Sequence, residues 1–205
     1  MSLKLVTGVL LALAVASSPA LACKGSEIIY SDDFKELDPA WSPVFGKYTA
    51  SGGKLQVQSD PGKVAVMHYE GDFFPSADLC IDISLPNVKD PEEVFAGVSF
   101  TTSNGTYYYG IRPDGQAGVL RYAGGWLRPV APRKVDALRT GPNVTNTIRI
   151  VWKADDPTVS TFINDRPFVN FKANEANKNR KIGIYAETEG AVFLYSNLKV
   201  STPPR

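Results

Sequence analysis

Hydrophobic and polar positions alternate with a period of two along most of the chain, in short runs separated by turn residues. The run Val94–Thr101 shows this best, because Val94, Ala96, Val98 and Phe100 interleave with Phe95, Gly97, Ser99 and Thr101. Ser103-Asn104-Gly105 then marks a tight turn, since Asn and Gly tolerate positive φ. Tyr107–Arg112 runs back, Pro113-Asp114-Gly115 turns the chain again, and Val119–Tyr122 leads into Gly124-Gly125-Trp126. A three-stranded antiparallel meander with a large share of the aromatic side chains is predicted here.

Comparable runs flank it. Glu27–Phe34 opens with a strand and an acidic turn, and Tyr48–Gln58 folds about Ser51-Gly52-Gly53. Val64–Tyr69 follows, and Asp78–Leu85 sets Leu79, Ile81 and Ile83 against Cys80, Asp82 and Ser84. Thr147–Lys153 sets Ile148, Ile150 and Trp152 against Arg149, Val151 and Lys153. Thr158–Ile163 and Phe168–Phe171 pair about Asn164-Asp165-Arg166-Pro167, and Lys181–Thr188 and Ala191–Val200 close the chain. Pro39–Pro43 (which carries Trp41), the charged Lys89–Glu93 and the proline- and base-rich Arg128–Asn146 lack periodicity and read as loops. Glu175–Lys181 reads as one helical turn. About twelve short strands without a helix of three turns predict an all-β sandwich or barrel.

Met1–Ala22 stands outside this pattern. Lys4 precedes the apolar Leu5–Ala16, and Ala20-Leu21-Ala22 is a small-x-small cleavage site, so residues 1–22 are expected to be a secretory signal peptide. Residues 23–205 then form one domain, with no second apolar run long enough for a transmembrane helix. With 22 basic and 21 acidic residues, all scattered, no basic stripe marks a nucleic-acid binder. The two mature cysteines, Cys23 and Cys80, suit a disulfide in an oxidising compartment. A rival reading is lipidation of Cys23, because a lipoprotein signal also places a cysteine first in the mature chain.

Four stretches carry a family likeness: Asp32-Asp33-Phe34 with Trp41; Gly53-Lys54-Leu55; the meander Ala96–Phe100, Tyr107–Ile111 and Gly125-Trp126; and a closing group. That group is Thr147–Ile150, Phe162-Ile163-Asn164-Asp165, Lys181–Tyr185 and Asn197–Val200. Together they resemble the concanavalin A-like lectin/glucanase superfamily, in particular its laminin-G-like and bacterial 3-keto-disaccharide hydrolase-like branch. The resemblance implies a jelly-roll sandwich of two curved antiparallel sheets, first and last strands near one another, and ligands on the concave sheet or its rim. It also implies a carbohydrate-linked role, although fold alone does not give function.

Laminarinase-like hydrolases of that superfamily carry Glu-x-Asp-x-(x)-Glu on one strand, and this sequence has no such strand. The nearest pattern is Glu187-Thr188-Glu189, a weak acid/base candidate because Gly190 places Glu189 in a turn. His68 is the only histidine, which excludes a multi-histidine zinc site, and no Gly-x-Ser-x-Gly elbow accompanies it. It reads as a polar strand position. No cofactor is expected; Asp32 and Asp33, and likewise Asp155-Asp156, are weak candidates for a structural calcium because they offer oxygen ligands but read equally as solvated turn pairs.

Sugar binding needs flat aromatic faces with polar groups around them. With Tyr107, Tyr109 and Ile111 inward, Tyr108 and Arg112 face out; Arg121 is expected beside them, and Trp126 at the rim. Tyr185 and Glu187 share the non-core face of their strand if Ile182, Ile184 and Ala186 point inward. Asn104-Gly105-Thr106 and Asn143-Val144-Thr145 match the glycosylation acceptor pattern but read as surface turns. The expectation is a periplasmic or secreted bacterial protein that binds a glycan or small saccharide without a catalytic motif. The alternatives are a glycoside hydrolase or lyase using other acids, and an envelope protein-interaction module.

Overall fold

The computed structural model describes residues 23–173 and 180–204, and contains fifteen strands and no helix among them. In chain order these are β1 (Ile28–Asp32), β2 (Trp41–Phe45), β3 (Lys47–Ser51), β4 (Lys54–Gln58), β5 (Val64–Tyr69), β6 (Ala77–Ser84), β7 (Phe95–Thr102) and β8 (Gly105–Ile111). Then come β9 (Gln116–Tyr122), β10 (Trp126–Lys134), β11 (Thr145–Lys153), β12 (Asp156–Ile163), β13 (Arg166–Lys172), β14 (Lys181–Glu187) and β15 (Phe193–Ser201). Sheet A runs β13-β12-β11-β6-β15-β4-β3, with β1 also paired to β15, and sheet B runs β10-β9-β8-β7-β14-β5-β2. All pairings are antiparallel, and the first strand lies beside the last.

The alternating residues put one face of each sheet into a shared core. Leu79, Ile81 and Ile83 from β6 and Ile148, Ile150 and Trp152 from β11 meet Val98 and Phe100 from β7 and Tyr107, Tyr109 and Ile111 from β8. Aromatic rings tie the layers together: Phe100 stacks on Tyr107 at 5.0 Å and on Trp152 at 5.7 Å. Two hydroxyls cross the core to satisfy backbone groups. Tyr109 donates to the Phe162 carbonyl at 2.9 Å, and Tyr195 donates to the Tyr185 carbonyl at 2.9 Å while accepting from Gly97 N–H at 3.1 Å.

Two stretches expected to be loops are strands. Trp41–Phe45 is β2 and Trp126–Lys134 is β10, and each is the outermost strand of sheet B. An edge strand pairs along one side only, so the prolines at 43, 129 and 132 are tolerated there, with register shifts beside them. The turns follow expectation: Gly52 and Gly53 have φ of 58° and 78°, and Asn164 and Asp165 have φ of 48° and 65°. Residues 1–22, the expected signal peptide, lie outside the described residues, as do 174–179, where most of the expected helical turn falls. Its last residue, Lys181, opens β14.

The outer face of sheet A is closed by the N-terminal segment. Cys23 and Cys80 form a disulfide with Cα atoms 5.5 Å apart, and Lys24 N–H donates to Asp78 Oδ2 at 3.0 Å. Beneath them Asp78 takes both nitrogens of the Arg149 fork, Nε at 2.6 Å and Nη2 at 2.9 Å, and Arg149 lies over the Phe162 ring. No helix among the described residues is long and apolar enough to cross a membrane.

Candidate functional site

The register of sheet B fixes which side chains meet on its outer face. One row across the strands contains His68, Gly183, Ser99, Tyr108 and Leu120. The next contains Val66, Tyr185, Gly97, Gly110 and Gly118. On either side lie a row ending in Tyr122 and Trp126 and a row with Glu187 and Phe95. Arg112 extends the latter, two residues beyond Gly110, and Lys134 stands opposite Gln116 at its end.

Glycine governs the packing of this face. Tyr108 and Tyr185 stand on strands either side of β7, yet their ring centroids are 4.3 Å apart. They close over the middle of β7, where the residues on this face are the small Gly97 and Ser99. Phe95 meets Tyr185 edge-on at 6.2 Å, and together with Val66 these rings form a second apolar cluster separate from the main core. Trp126 lies on top, 5.4 Å from Tyr108, 6.2 Å from Tyr185 and 5.3 Å from Tyr122. Trp126 and Tyr122 remain 52% and 47% exposed, whereas Tyr108 is 8% and Tyr185 0% exposed.

Polar groups surround the rings. The Tyr185 hydroxyl donates to Glu187 Oε1. Burial first, and then the charge of Glu187, push that hydroxyl far above its ordinary range, so it stays a donor. Burial likewise raises Tyr108. His68 Nε2, Ser99 Oγ and Arg112 Nε are all buried without a hydrogen-bond partner among the described residues. Burial lowers the His68 imidazole below its usual value, Glu70 opposing and Lys181 reinforcing the effect. Glu187 is anchored from the following residue, where Thr188 and Ser59 exchange hydrogen bonds, with Ser59 N–H to Thr188 Oγ1 at 2.8 Å and Thr188 N–H to Ser59 Oγ at 3.1 Å.

Four of the expected residues therefore come together: Tyr108, Trp126, Tyr185 and Glu187. Arg112 shares their face but sits beyond the glycine row. Arg121 does not belong to the face. It is paired with Tyr107, so it points to the opposite side, where its guanidinium covers the Tyr107 ring and Nη2 donates to the Asn104 carbonyl at 2.5 Å. Tyr108 and Tyr185 point outward as expected, but Trp126 and each other's rings bury them. Tyr122 was missed, although its strand parity with Tyr108's partner Leu120 places it on the same side.

The other expectations are placed as follows. Glu189 sits in a left-handed turn at φ 45° and accepts from Gly62 N–H at 2.9 Å, so Glu187 and Glu189 are held by different partners rather than presented as an acid/base couple. Asp32 is buried and accepts from Phe34 N–H at 2.7 Å and Trp41 Nε1 at 2.8 Å, while Asp33 is exposed and pairs with Lys35. Their carboxylates are engaged by protein donors on opposite sides of the chain. Among the described residues the one cluster of metal-ligating types is Cys23, Asp78 and Cys80, and its sulfurs are joined in the disulfide. Two clefts of about 460 Å³ lie elsewhere, one beside Asp155, Asp156 and Pro203 and one beside Phe45, Asp60 and Lys63.

The sequence matches no protein-family model and no curated protein. Solved structures do match. The Emp46p carbohydrate recognition domain in its potassium-bound form superposes with TM-score 0.66 at 11% identity, over 86% of this chain and 98% of that one. A laminarinase from Flavobacterium sp. UMI-01 gives 0.64 at 12% identity, over 86% and 100%. The carbohydrate binding module CBM66 from Bacillus subtilis gives 0.60 at 12%, over 80% and 96%. At such identities the likeness is one of fold. The two-sheet architecture is that of the concanavalin A-like jelly-roll sandwich.

Proposed function

We propose that this is an extracytoplasmic glycan-binding protein, lectin-like rather than catalytic, that takes its ligand on the outer face of sheet B. The observation that carries the reading is Trp126, an indole half open to solvent beside the equally open Tyr122, backed by the buried Tyr108–Tyr185 pair and edged by Glu187. A rigidly backed aromatic plane next to a charge-assisted acceptor is what a pyranose ring needs, with its C–H face on the ring and its hydroxyls on the polar rim. That solved structures of this fold include a carbohydrate recognition domain and a carbohydrate binding module supports the same class of ligand. The leader-like residues 1–22 and the Cys23–Cys80 disulfide support export to a periplasmic or extracellular space with Cys23 bridged.

Glycan-array screening of the disulfide-bonded protein, followed by calorimetry on the best ligand, tests this. Trp126→Ala and Tyr122→Ala are each expected to weaken binding by about 30-fold, the scale of a hot-spot aromatic worth about 2 kcal/mol, with little change in melting temperature. Full affinity in both variants would sink the assignment of this face.

A further inference from the structure

Resting on that reading, we infer that the ligand is an anionic glycan, one whose carboxylate or sulfate is received by Arg112 at the far end of the aromatic face. The charge of the molecule is not evenly spread. Overall it is +1, but between residues 112 and 139 six bases stand against only Asp114 and Asp136. They are Arg112, Arg121, Arg128, Arg133, Lys134 and Arg139. This segment follows directly on β8 and covers all of β9 and β10, the strands that carry Tyr122 and Trp126.

Two of these cations are already employed on rings. Arg121 covers Tyr107 and Arg133 covers Phe168, both away from the outer face. Lys181, across the sheet, is paired with Glu70. Arg112 differs, because it lies on the outer face and no carboxylate among the described residues is within ion-pair reach; its Nε, like that of Arg121, is buried without an acceptor among them. A buried donor without an acceptor is an uncompensated cost, and Arg112 is thus a charged fork that an incoming oxyanion would satisfy. Lys134, which stands opposite Gln116 next to Arg112, gives its ammonium to the Asp114 carbonyl and adds a second positive charge at the same end. The guanidinium fork matches a carboxylate or a sulfate with two parallel hydrogen bonds, which no neutral hydroxyl can do.

The spacing suits an oligosaccharide. Tyr108 lies on β8 and Arg112 directly follows it on the same face, four residues on, which is about 13 Å along the strand direction. A chain with one ring on Trp126 would thus carry a later residue over the glycine row to Arg112. Glu187, in the same row as Arg112 but across β7, is engaged by Tyr185 and marks the end where the ligand presents hydroxyls rather than charge.

The test uses matched pairs of oligosaccharides immobilised together: oligogalacturonate, alginate oligomers and chondroitin sulfate, each with its carboxyl-reduced or desulfated counterpart. The anionic member of at least one pair is expected to bind ten times or more tightly than its neutral partner. That preference should shrink as NaCl rises from about 0.05 to 0.5 M, where screening shortens the reach of exposed charges. Arg112→Gln should erase it, and Arg112→Lys, which keeps stem and charge but not the fork, should give an intermediate value. Carboxyl reduction and desulfation applied separately tell which oxyanion is read. Neutral members binding as well as anionic ones, or a preference that survives Arg112→Gln, overturns the inference and leaves the lectin reading standing. Binding to no member, charged or neutral, overturns both.

Discussion

Replacing Arg149 by methionine removes a guanidinium that is only 5% exposed and leaves the wholly buried Asp78 carboxylate with one remaining donor, Lys24 N–H. The lost bonds are short, at 2.6 and 2.9 Å. Breaking a buried pair from one side costs about 3–5 kcal/mol, because the surviving charge keeps its desolvation cost without its partner. At about 2–4 °C per kcal/mol for a domain of this size, the melting temperature should fall by about 6–20 °C. The disulfide multiplies the effect. It closes a span of 57 residues, worth about 4 kcal/mol in the chain-entropy account, and it also holds Cys23–Gly25 as the cover over the pair. After reduction, water reaches Asp78 and Arg149, and the same substitution should cost only the 0–1 kcal/mol or so of an exposed pair. Urea unfolding of wild type and Arg149→Met, each oxidised and reduced, gives the four free energies. A third variant, Asp78→Leu with Arg149→Met, should regain most of the loss, since an apolar replacement of both charges is often neutral. A loss below about 1 kcal/mol in the oxidised protein, or equal losses in both redox forms, would refute the claim that the segment buries this pair.

Two further outcomes follow from sheet B. A Cβ on Gly97 would fall on the Tyr109 carbonyl oxygen and within van der Waals distance of Gly110, so Gly97→Ala should cost about 3 kcal/mol, whereas Gly125→Ala, with nothing within 4 Å, should stay within about 0.5 kcal/mol by chemical denaturation. Equal stability of the two variants would contradict the close approach of β7 and β8. His68, held below its usual value by burial, is neutral in the folded state at a pH where the unfolded chain already takes up a proton. Stability is therefore complete above about pH 6.5 and declines as pH falls through the lower folded value. Denaturation midpoints of wild type and His68→Gln should diverge between neutral pH and pH 5, and parallel curves would exclude His68 as the cause.

Alternation reveals the strands that turn one face to the main core, such as β6, β7, β11 and β14, because such a strand separates its large apolar residues from those on its other side. It fails for β2 and β10, where Pro43, Pro129 and Pro132 look like loop residues but sit in edge strands that lack one neighbour. The outward direction of Tyr108, Tyr185 and Glu187 follows from parity within a single strand and is legible in the same way. Arg121 is not, because its side depends on which residue of β8 it faces, and the pairing with Tyr107 shifts it by one position. Nor can parity show that Tyr108 and Tyr185 are buried. Their closure over β7 requires the order β8-β7-β14, in which β14 is distant in sequence, and their cover requires Trp126 to reach back from β10. The Asp78–Arg149 pair escapes for a related reason: both residues read as the polar side of a strand, and only the N-terminal segment turns that side into an interior.

The contrast between the two outer faces explains why the proposed site lies on sheet B. On sheet A the polar side chains satisfy one another: Asp78 with Arg149, Asp82 with Thr147 and with Asn197 at 2.8 Å, and Ser84 with Thr145 at 2.8 Å. Nothing there calls for an outside partner, and the disulfide-tied segment covers part of it. On the outer face of sheet B, His68 Nε2, Ser99 Oγ and Arg112 Nε are buried and lack any partner among the described residues, and two aromatic rings of the same face stay half open. Buried polar groups in folded proteins are nearly always satisfied, so unmet donors and acceptors beside exposed rings point to groups supplied from solution, whether water or ligand. A ligand that stacks on Trp126 and brings an oxyanion to Arg112 meets both deficits at once. A purely apolar partner would cover the rings and leave Arg112 buried and unmet, which is the less stable arrangement.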